Sequence, residues 1–451
     1  MSLTEPLAIR LSGQTTPAKS LVMPRYPEYK ASGVEWLGEV PAHWVVKRLR
    51  FVAELNPSKS ELATLDKEML VSFLPMDAVG DDGKLNLERE KPIAEVETGY
   101  TFFRDGDVTV AKITPCFENG KGAVMRGLTQ GIGFGTTELI VARPIASQTC
   151  SDYLHSLFTS VEFRKNGEGH MYGAGGQKRV PDDFVRNFEI AFPPIEEQQA
   201  IAAFLDRETG KIDALIAEQR RLVELLAEKR QVVISHAVTK GLPSTSSGQG
   251  SNVPMKDSGN EWLGEVPAHW AVRRLKFLCD IQTGDKDTEN AVDDGQYPFF
   301  VRSQTVERIN SMAFDCEAVL TAGDGVGVGK VFHYHKGPFD FHQRVYMMNN
   351  FREVSGRYLF HFFRENFYKV ALEGGAKSTV DSLRRPVLMN FPVCVPTTAE
   401  QAAIVSTIEQ EAAKFDTLTA EANRAIELLQ ERRSALISAA LTGKIDVRGQ
   451  G

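Results

Sequence analysis

The sequence predicts an α+β protein: two globular domains separated by two long helices packed as a coiled coil, with the whole pattern repeated once along the chain. Three observations carry that prediction. A tryptophan-bearing segment occurs twice, a helical segment of some forty residues occurs twice, and the stretches between them are short β-rich runs broken by turns. At 451 residues the chain exceeds one domain, and 42% hydrophobic with 25% charged residues is the composition of ordinary packed cores.

Ser32 to Phe51 (SGVEWLGEVPAHWVVKRLRF) recurs at Ser258 to Phe277 (SGNEWLGEVPAHWAVRRLKF), with 16 of 20 residues identical at an offset of 226. Glu197 to Thr239 matches Glu400 to Thr442 at an offset of 203, so the block between the matched segments is 23 residues longer in the first copy. A period near two hundred residues is domain duplication, since solenoid and propeller units are far shorter. The pattern divides the chain as follows: a flexible tail over 1–24, a first globular domain over 25–192 and a long helix over 193–241. After a Pro/Ser/Gly linker over 242–254 come a second globular domain over 255–395, a second long helix over 396–446 and a tail over 447–451.

The helical segments repeat apolar residues at threes, fours and sevens. In the first these are Ile201, Phe204, Leu215, Leu222, Leu226 and Val233; in the second, Ile404, Ile408, Phe415, Leu418, Ala422, Ala425, Leu429 and Leu436. Forty residues make a helix of about 60 Å, too long for the surface of a compact domain, so the two are expected to pack on each other. The blocks before them carry strands near Asp107–Ala111, Glu138–Ala142, Ala318–Thr321 and Arg344–Met347, and helices near Tyr153–Phe163 and Tyr358–Tyr368.

Several function classes fall away. The five cysteines (Cys116, Cys150, Cys279, Cys316, Cys394) form no Cys-x-x-Cys pair, and no run approaches the ~18 apolar residues of a membrane-spanning helix, so a cytoplasmic protein with free thiols is expected. The run from Gly323 to Lys330 lacks the glycine spacing and following Ser or Thr of a phosphate loop, and reads as a tight turn between strands. His333, His335 and His342 lack a fourth ligand, and no metal is expected. Asp81-Asp82 and Asp293-Asp294 read as turn residues, and Asp77 with Asp82 and Lys84 is too closely spaced for metal-dependent cleavage. No methyl-donor loop, helicase motif or Ser/His/Asp set stands out, so no catalytic residue is assigned. A self-contained nuclease or methyltransferase, or a coiled-coil scaffold without DNA specificity, remain the alternatives.

What is left are basic, glycine-flanked clusters suited to bases and phosphates. The first block has Lys112, Thr114, Asn119 and Lys121, and also Arg164, Lys165, His170, Tyr172, Gln177, Lys178 and Arg179. The second block has Lys330, then His342, Gln343 and Arg344, then Lys377, Ser378, Arg384 and Arg385. Trp36, Trp44, Trp262 and Trp270 read first as packing residues; their duplication also makes them candidates for meeting two copies of one partner. The net charge of −7 means that any DNA role rests on such local patches and on partners.

From about Tyr26 to Asp446 the chain resembles the DNA specificity (S) subunits of type I restriction-modification systems. The resemblance is carried by YPEYKASGVEWLGEVPAHW with its repeat, PPIEEQQAIAAFLD (Pro193 to Asp206), GDVTVAKITPCFENGKG (Gly106 to Gly122) and FHQRVY (Phe341 to Tyr346). It implies two target recognition domains, each reading half of a split DNA target, and an antiparallel coiled coil acting as spacer. It also implies two methyltransferase (M) subunits and, for cleavage, motor and nuclease (R) subunits as partners. S-adenosylmethionine, ATP and Mg would belong to those partners and no cofactor to this chain.

Overall fold

The computed structural model describes residues 23–174, 176–242, 253–371 and 382–449. Residues 1–22 of the expected N-terminal tail, most of the linker, and Lys377 with Ser378 therefore lie outside the described residues. By its contacts the chain divides into two units, Met1–Glu218 with Ala425–Gly451, and Gln219–Arg424.

The long helices run Ile195–Lys240 and Thr398–Leu441. At 46 residues the first spans about 69 Å. Neither belongs to a separate helical body: each unit takes the first half of one helix and the second half of the other. In the first unit Asp213 of the first helix pairs with Arg433 of the second at 2.9 Å. There, too, Trp44 meets both Glu197 at the start of the first helix and Gly443 just beyond the end of the second, so the two halves run antiparallel. The second unit repeats this with Arg230–Asp416 and with Trp270 between Glu400 and Gly241.

The helix seam is a seven-residue repeat, Leu205, Ile212, Gln219, Leu226 and Val233 in the first helix and Ile408, Phe415, Ala422, Leu429 and Leu436 in the second, all buried or half-buried. Leu215, Leu222 and Leu418, which the sequence pattern places on the packed face, are instead 46%, 41% and 45% exposed. Seven-residue spacing is satisfied by more than one register in these leucine-rich helices, and packing selects which register is the seam.

The two globular domains share one strand order. The second has a six-stranded sheet ordered Asp280–Thr283, Val345–Asn349, Phe314–Ala322, Phe332–Phe341, Tyr297–Phe300, Glu307–Ile309. In the first, the two central long strands are each interrupted. Thr101–Arg104 and Val108–Ala111 stand for one, Gly122–Val124 and Ile132–Gly135 for the other, and the result is two four-stranded sheets. The same parallel pairing survives in both, Ile132–Gly135 on Leu70–Leu74 and Phe332–Phe341 on Tyr297–Phe300. Part of the greater length of the first block lies in one connection, residues 75–89, against residues 301–306 in the second.

Helices fill the core beside each anchor: Ser151–Thr159 and Val161–Glu168 on the sheet that holds Val108–Ala111 in the first domain, Gly356–Asn366 in the second. Tyr153, Leu157, Phe158 and Phe163 are buried in one, and Tyr358, Phe362, Phe363 and Phe367 in the other.

Candidate nucleic-acid interface

The repeated tryptophan segment is an anchor inside each unit. Val45–Arg48 pairs with Glu189–Phe192, and Ala271–Arg274 with Pro392–Val395, so each copy is stitched to the strand that leads into a long helix. Trp44 and Trp270 are 0% and 1% exposed. Their indole N–H groups donate to Glu197 Oε1 at 3.0 Å and Glu400 Oε1 at 3.1 Å. His43 and His269 lie 2.8 Å from the same carboxylates. Trp36 stacks on Phe188 and Trp262 on Phe391, at ring separations of 5.3 and 5.4 Å. Trp44 and Trp270 therefore present no surface to a partner: a buried indole with its one donor satisfied is a packing residue.

The glutamine after each glutamate completes the anchor. Gln198 donates to the carbonyls of Gln148 and Pro193, and Gln401 to those of Glu353 and Pro396. Burial pushes the Glu400 carboxyl up, but hydrogen bonds involving His269, Thr397 and Trp270 outweigh this and hold its pKa at about 2.

At the opposite end of each sheet, three backbone segments meet in one pattern. In the first domain Lys112 N donates to Glu138 O and Val180 N to Lys112 O, with a bridge between Ile113 and Arg179. In the second, Gly323 N donates to Arg344 O and Leu383 N to Gly323 O, with a bridge between Asp324 and Ser382.

The side chains at these matching junctions are unlike. In the first domain Arg179 donates through Nε and Nη2 to Glu138, at 2.9 and 2.8 Å, and these hydrogen bonds hold the Glu138 carboxyl below its ordinary pKa. Thr114 Oγ1 donates to Gly176 O and accepts from Lys178 N, which binds the 112–121 loop to the 172–180 loop. Tyr172, Gln177 and Lys178 stand exposed on that rim, Tyr172 at 61%. In the second domain Asp324, 8% exposed, accepts from Arg302 Nη1 at 3.0 Å and Arg344 Nη1 at 2.6 Å. Burial pushes its carboxyl up, and the two arginines hold it below the ordinary value.

The remaining expected residues divide. Asn119 and Arg164 line a cleft of about 520 Å3 that also holds Asp206, Asp213 and Arg433; Lys121 lies 3.9 Å from Asp81 of the same cleft. Arg164 donates to Glu118 O while its Nε is buried without a partner. Lys165 is exposed on its helix, and His170, also exposed, packs on Phe184 and contacts Asn166 O at 2.8 Å. His342 is buried, its Nδ1 accepting from Arg344 N, so it supports the loop and offers no ring edge to a ligand. Gln343 is exposed and donates to Asp287; Lys330 is exposed, and Arg385 donates to Ile281 O beside exposed Arg384. His333 and His335 each face a backbone carbonyl, at Ser303 and Pro338, and among the described residues no three potential metal ligands converge.

Sequence reading missed Arg302 and Asp324. Neither lies in a basic run, and Asp324 sits inside a glycine turn whose spacing alone drew notice. Val326, at the tip of that turn, is 87% exposed.

A family model described as the type I restriction modification DNA specificity domain matches residues 100–225 and 267–428. Over 196 residues, 43% of this chain, the sequence is 42% identical to the specificity subunit of the type I restriction enzyme EcoAI of Escherichia coli. Over 182 residues it is 31% identical to the EcoDI specificity subunit of the same species. These matches span 32% and 40% of the two relatives' own lengths. The fold is similar to a chain from a structure of type I R-M complex assembly and conformational transition, with TM-score 0.71, 17% identity and coverage of 89% of this chain and 98% of that one. It is also similar to the HsdS subunit of Thermoanaerobacter tengcongensis, with TM-score 0.53, 17% identity, and coverage of 90% and 98%.

Proposed function

The chain belongs to the type I restriction modification DNA specificity domain family, and from that premise we propose that it is the sequence-reading, non-catalytic subunit of a type I restriction-modification complex. Each globular domain reads one half of a bipartite DNA target, and the long helices set the distance between the halves. Two methyltransferase subunits join this chain, and restriction subunits join through them; S-adenosylmethionine, ATP and Mg serve those partners, in the cytoplasm.

The observation that carries this reading is the contrast within each domain. Identical anchors fix both domains to the helices, while matching backbone junctions at the far ends present different donors. Unlike donors at base edges select unlike bases, so the target is asymmetric. The contact residues proposed for the first half are Lys112, Thr114, Tyr172, Gln177 and Lys178; for the second they are Lys330, Gln343, Arg344 and Arg384. With a net charge of −7 the chain alone binds DNA weakly, and basic partner subunits supply most phosphate contacts.

The test is sequencing of modified bases in DNA from cells expressing the chain with its methyltransferase partner, against the partner alone. A split, asymmetric motif modified only when both are present is expected. A stable complex without any chain-dependent motif would overturn the reading in favour of a scaffold.

A further inference from the structure

We propose that Arg302 and Arg344, positioned by the buried carboxylate of Asp324, form a fork that reads guanine in the second half of the target. This deepens the DNA-reading role proposed above and rests on it.

The geometry is specific. Asp324 Oδ1 accepts from Arg302 and Oδ2 from Arg344, so one carboxylate holds two guanidinium groups next to each other. The carboxylate is buried, whereas the side chains of Arg302 and Arg344 remain 44% and 62% exposed. A guanidinium carries five N–H donors. Each of these spends one on Asp324 and has no second partner among the described residues. Two cations this close repel each other, and the shared carboxylate cancels one of the charges while fixing both orientations.

The segments that carry the two arginines are also held. Arg344 N donates to the ring of buried His342 and its carbonyl accepts from Gly323 N. On the other side, Gln304 Nε2 donates to Lys330 O, which ties the segment of Arg302 to the end of the glycine turn, and His333 of the following strand contacts Ser303 O. A Cβ on Gly327 would lie 2.6 Å from Arg302 O, so this close approach requires glycine. The glycines that resemble a phosphate loop thus serve to bring the turn against Arg302.

In the major groove guanine presents two acceptors, O6 and N7, matched by the planar fork of arginine and not by the point charge of lysine. Among the described residues of the first domain no such device occurs: Arg179, at its matching junction, directs two of its donors to Glu138. The fork therefore assigns guanine to the second half-target specifically.

The test uses the full chain assembled with its methyltransferase subunits and the target defined by modified-base sequencing. Binding is measured to duplexes in which each guanine of the second half is replaced singly by 7-deazaguanine, which lacks the N7 acceptor. At least one position should lose about tenfold or more, consistent with one bidentate contact. Arg344→Lys or Arg302→Lys should lose a similar factor on the unmodified duplex and become insensitive to that replacement, with thermal unfolding unchanged and first-half recognition intact. Both arginines are exposed, so these variants keep the fold; Asp324→Asn, at a buried site, is read only alongside its unfolding temperature. A second half without guanine, or lysine variants that discriminate like the parent, would overturn the fork while leaving the bipartite motif standing. Absence of any chain-dependent motif would sink the underlying role and the fork together.

Discussion

Glu197 and Glu400 each accept an indole N–H from the repeated segment and each touch its histidine, at distances that agree within 0.1 Å. At the opposite ends of the two sheets the backbone bonds again coincide, yet the side chains on them differ. At matching positions stand Lys112 and Glu138 in the first domain, against Gly323 and Arg344 in the second, and the carboxylate that Arg344 meets is Asp324, one residue past Gly323. Docking to the helices is one physical task performed twice, and one set of partners serves it. Presenting donors to a ligand is two different tasks on one backbone frame.

That comparison can be broken most completely by exchange. Replacing residues 278–395 with a copy of residues 52–192 should erase the second half of the modified motif and make both halves read alike, as seen by modified-base sequencing. Retention of the original second half would show that the blocks do not read.

The anchors should respond next. Trp44→Ala and Trp270→Ala each remove a fully buried indole and should cost about 3–5 kcal/mol in urea unfolding followed by circular dichroism. The larger cost is expected at Trp44, because Glu197 is buried whereas Glu400 is about a third exposed and can recover water as a partner. Equal or negligible costs would contradict the placement.

A smaller effect depends on pH. The Glu400 pKa is about 2 in the folded chain against an ordinary 4.5. The unfolded state therefore binds the proton first as pH falls, so this contribution is present above about pH 4.5 and is lost as pH drops toward about 2. Glu400→Gln should flatten the acid limb of the stability profile over that window; an unchanged limb would assign acid sensitivity elsewhere.

The smallest effect is expected at the helix ion pairs. Arg433→Ala and Arg230→Ala break exposed contacts to Asp213 and Asp416 and should cost about 0.2–1 kcal/mol, less in high salt. A loss of several kcal/mol would mean that the pairs set the helix register.

The duplication, the two long helices, the α+β texture of the blocks and the turn character of the glycine run were all legible in the residues. They are local or periodic properties, and a repeated segment requires no three-dimensional information to see. The basic residues of the candidate interface were legible as a class, but their roles were not. Arg179 and Arg344 look alike in the chain; one is engaged twice by Glu138, while the other makes a single bond to Asp324 and keeps its remaining donors outward.

What the sequence by itself determined is that one architecture is used twice, because identical segments must pack by identical contacts. Three matters were decided only by the tertiary structure. The register of the helix seam depends on which of several heptads meets a partner surface, and Leu215 and Leu418 lost that competition. The shared strand order of two dissimilar blocks depends on long-range pairing, which tolerates different side chains on the same ladder. The arginine fork depends on a carboxylate 22 residues from one arginine and 20 from the other, an approach that only the folded sheet provides.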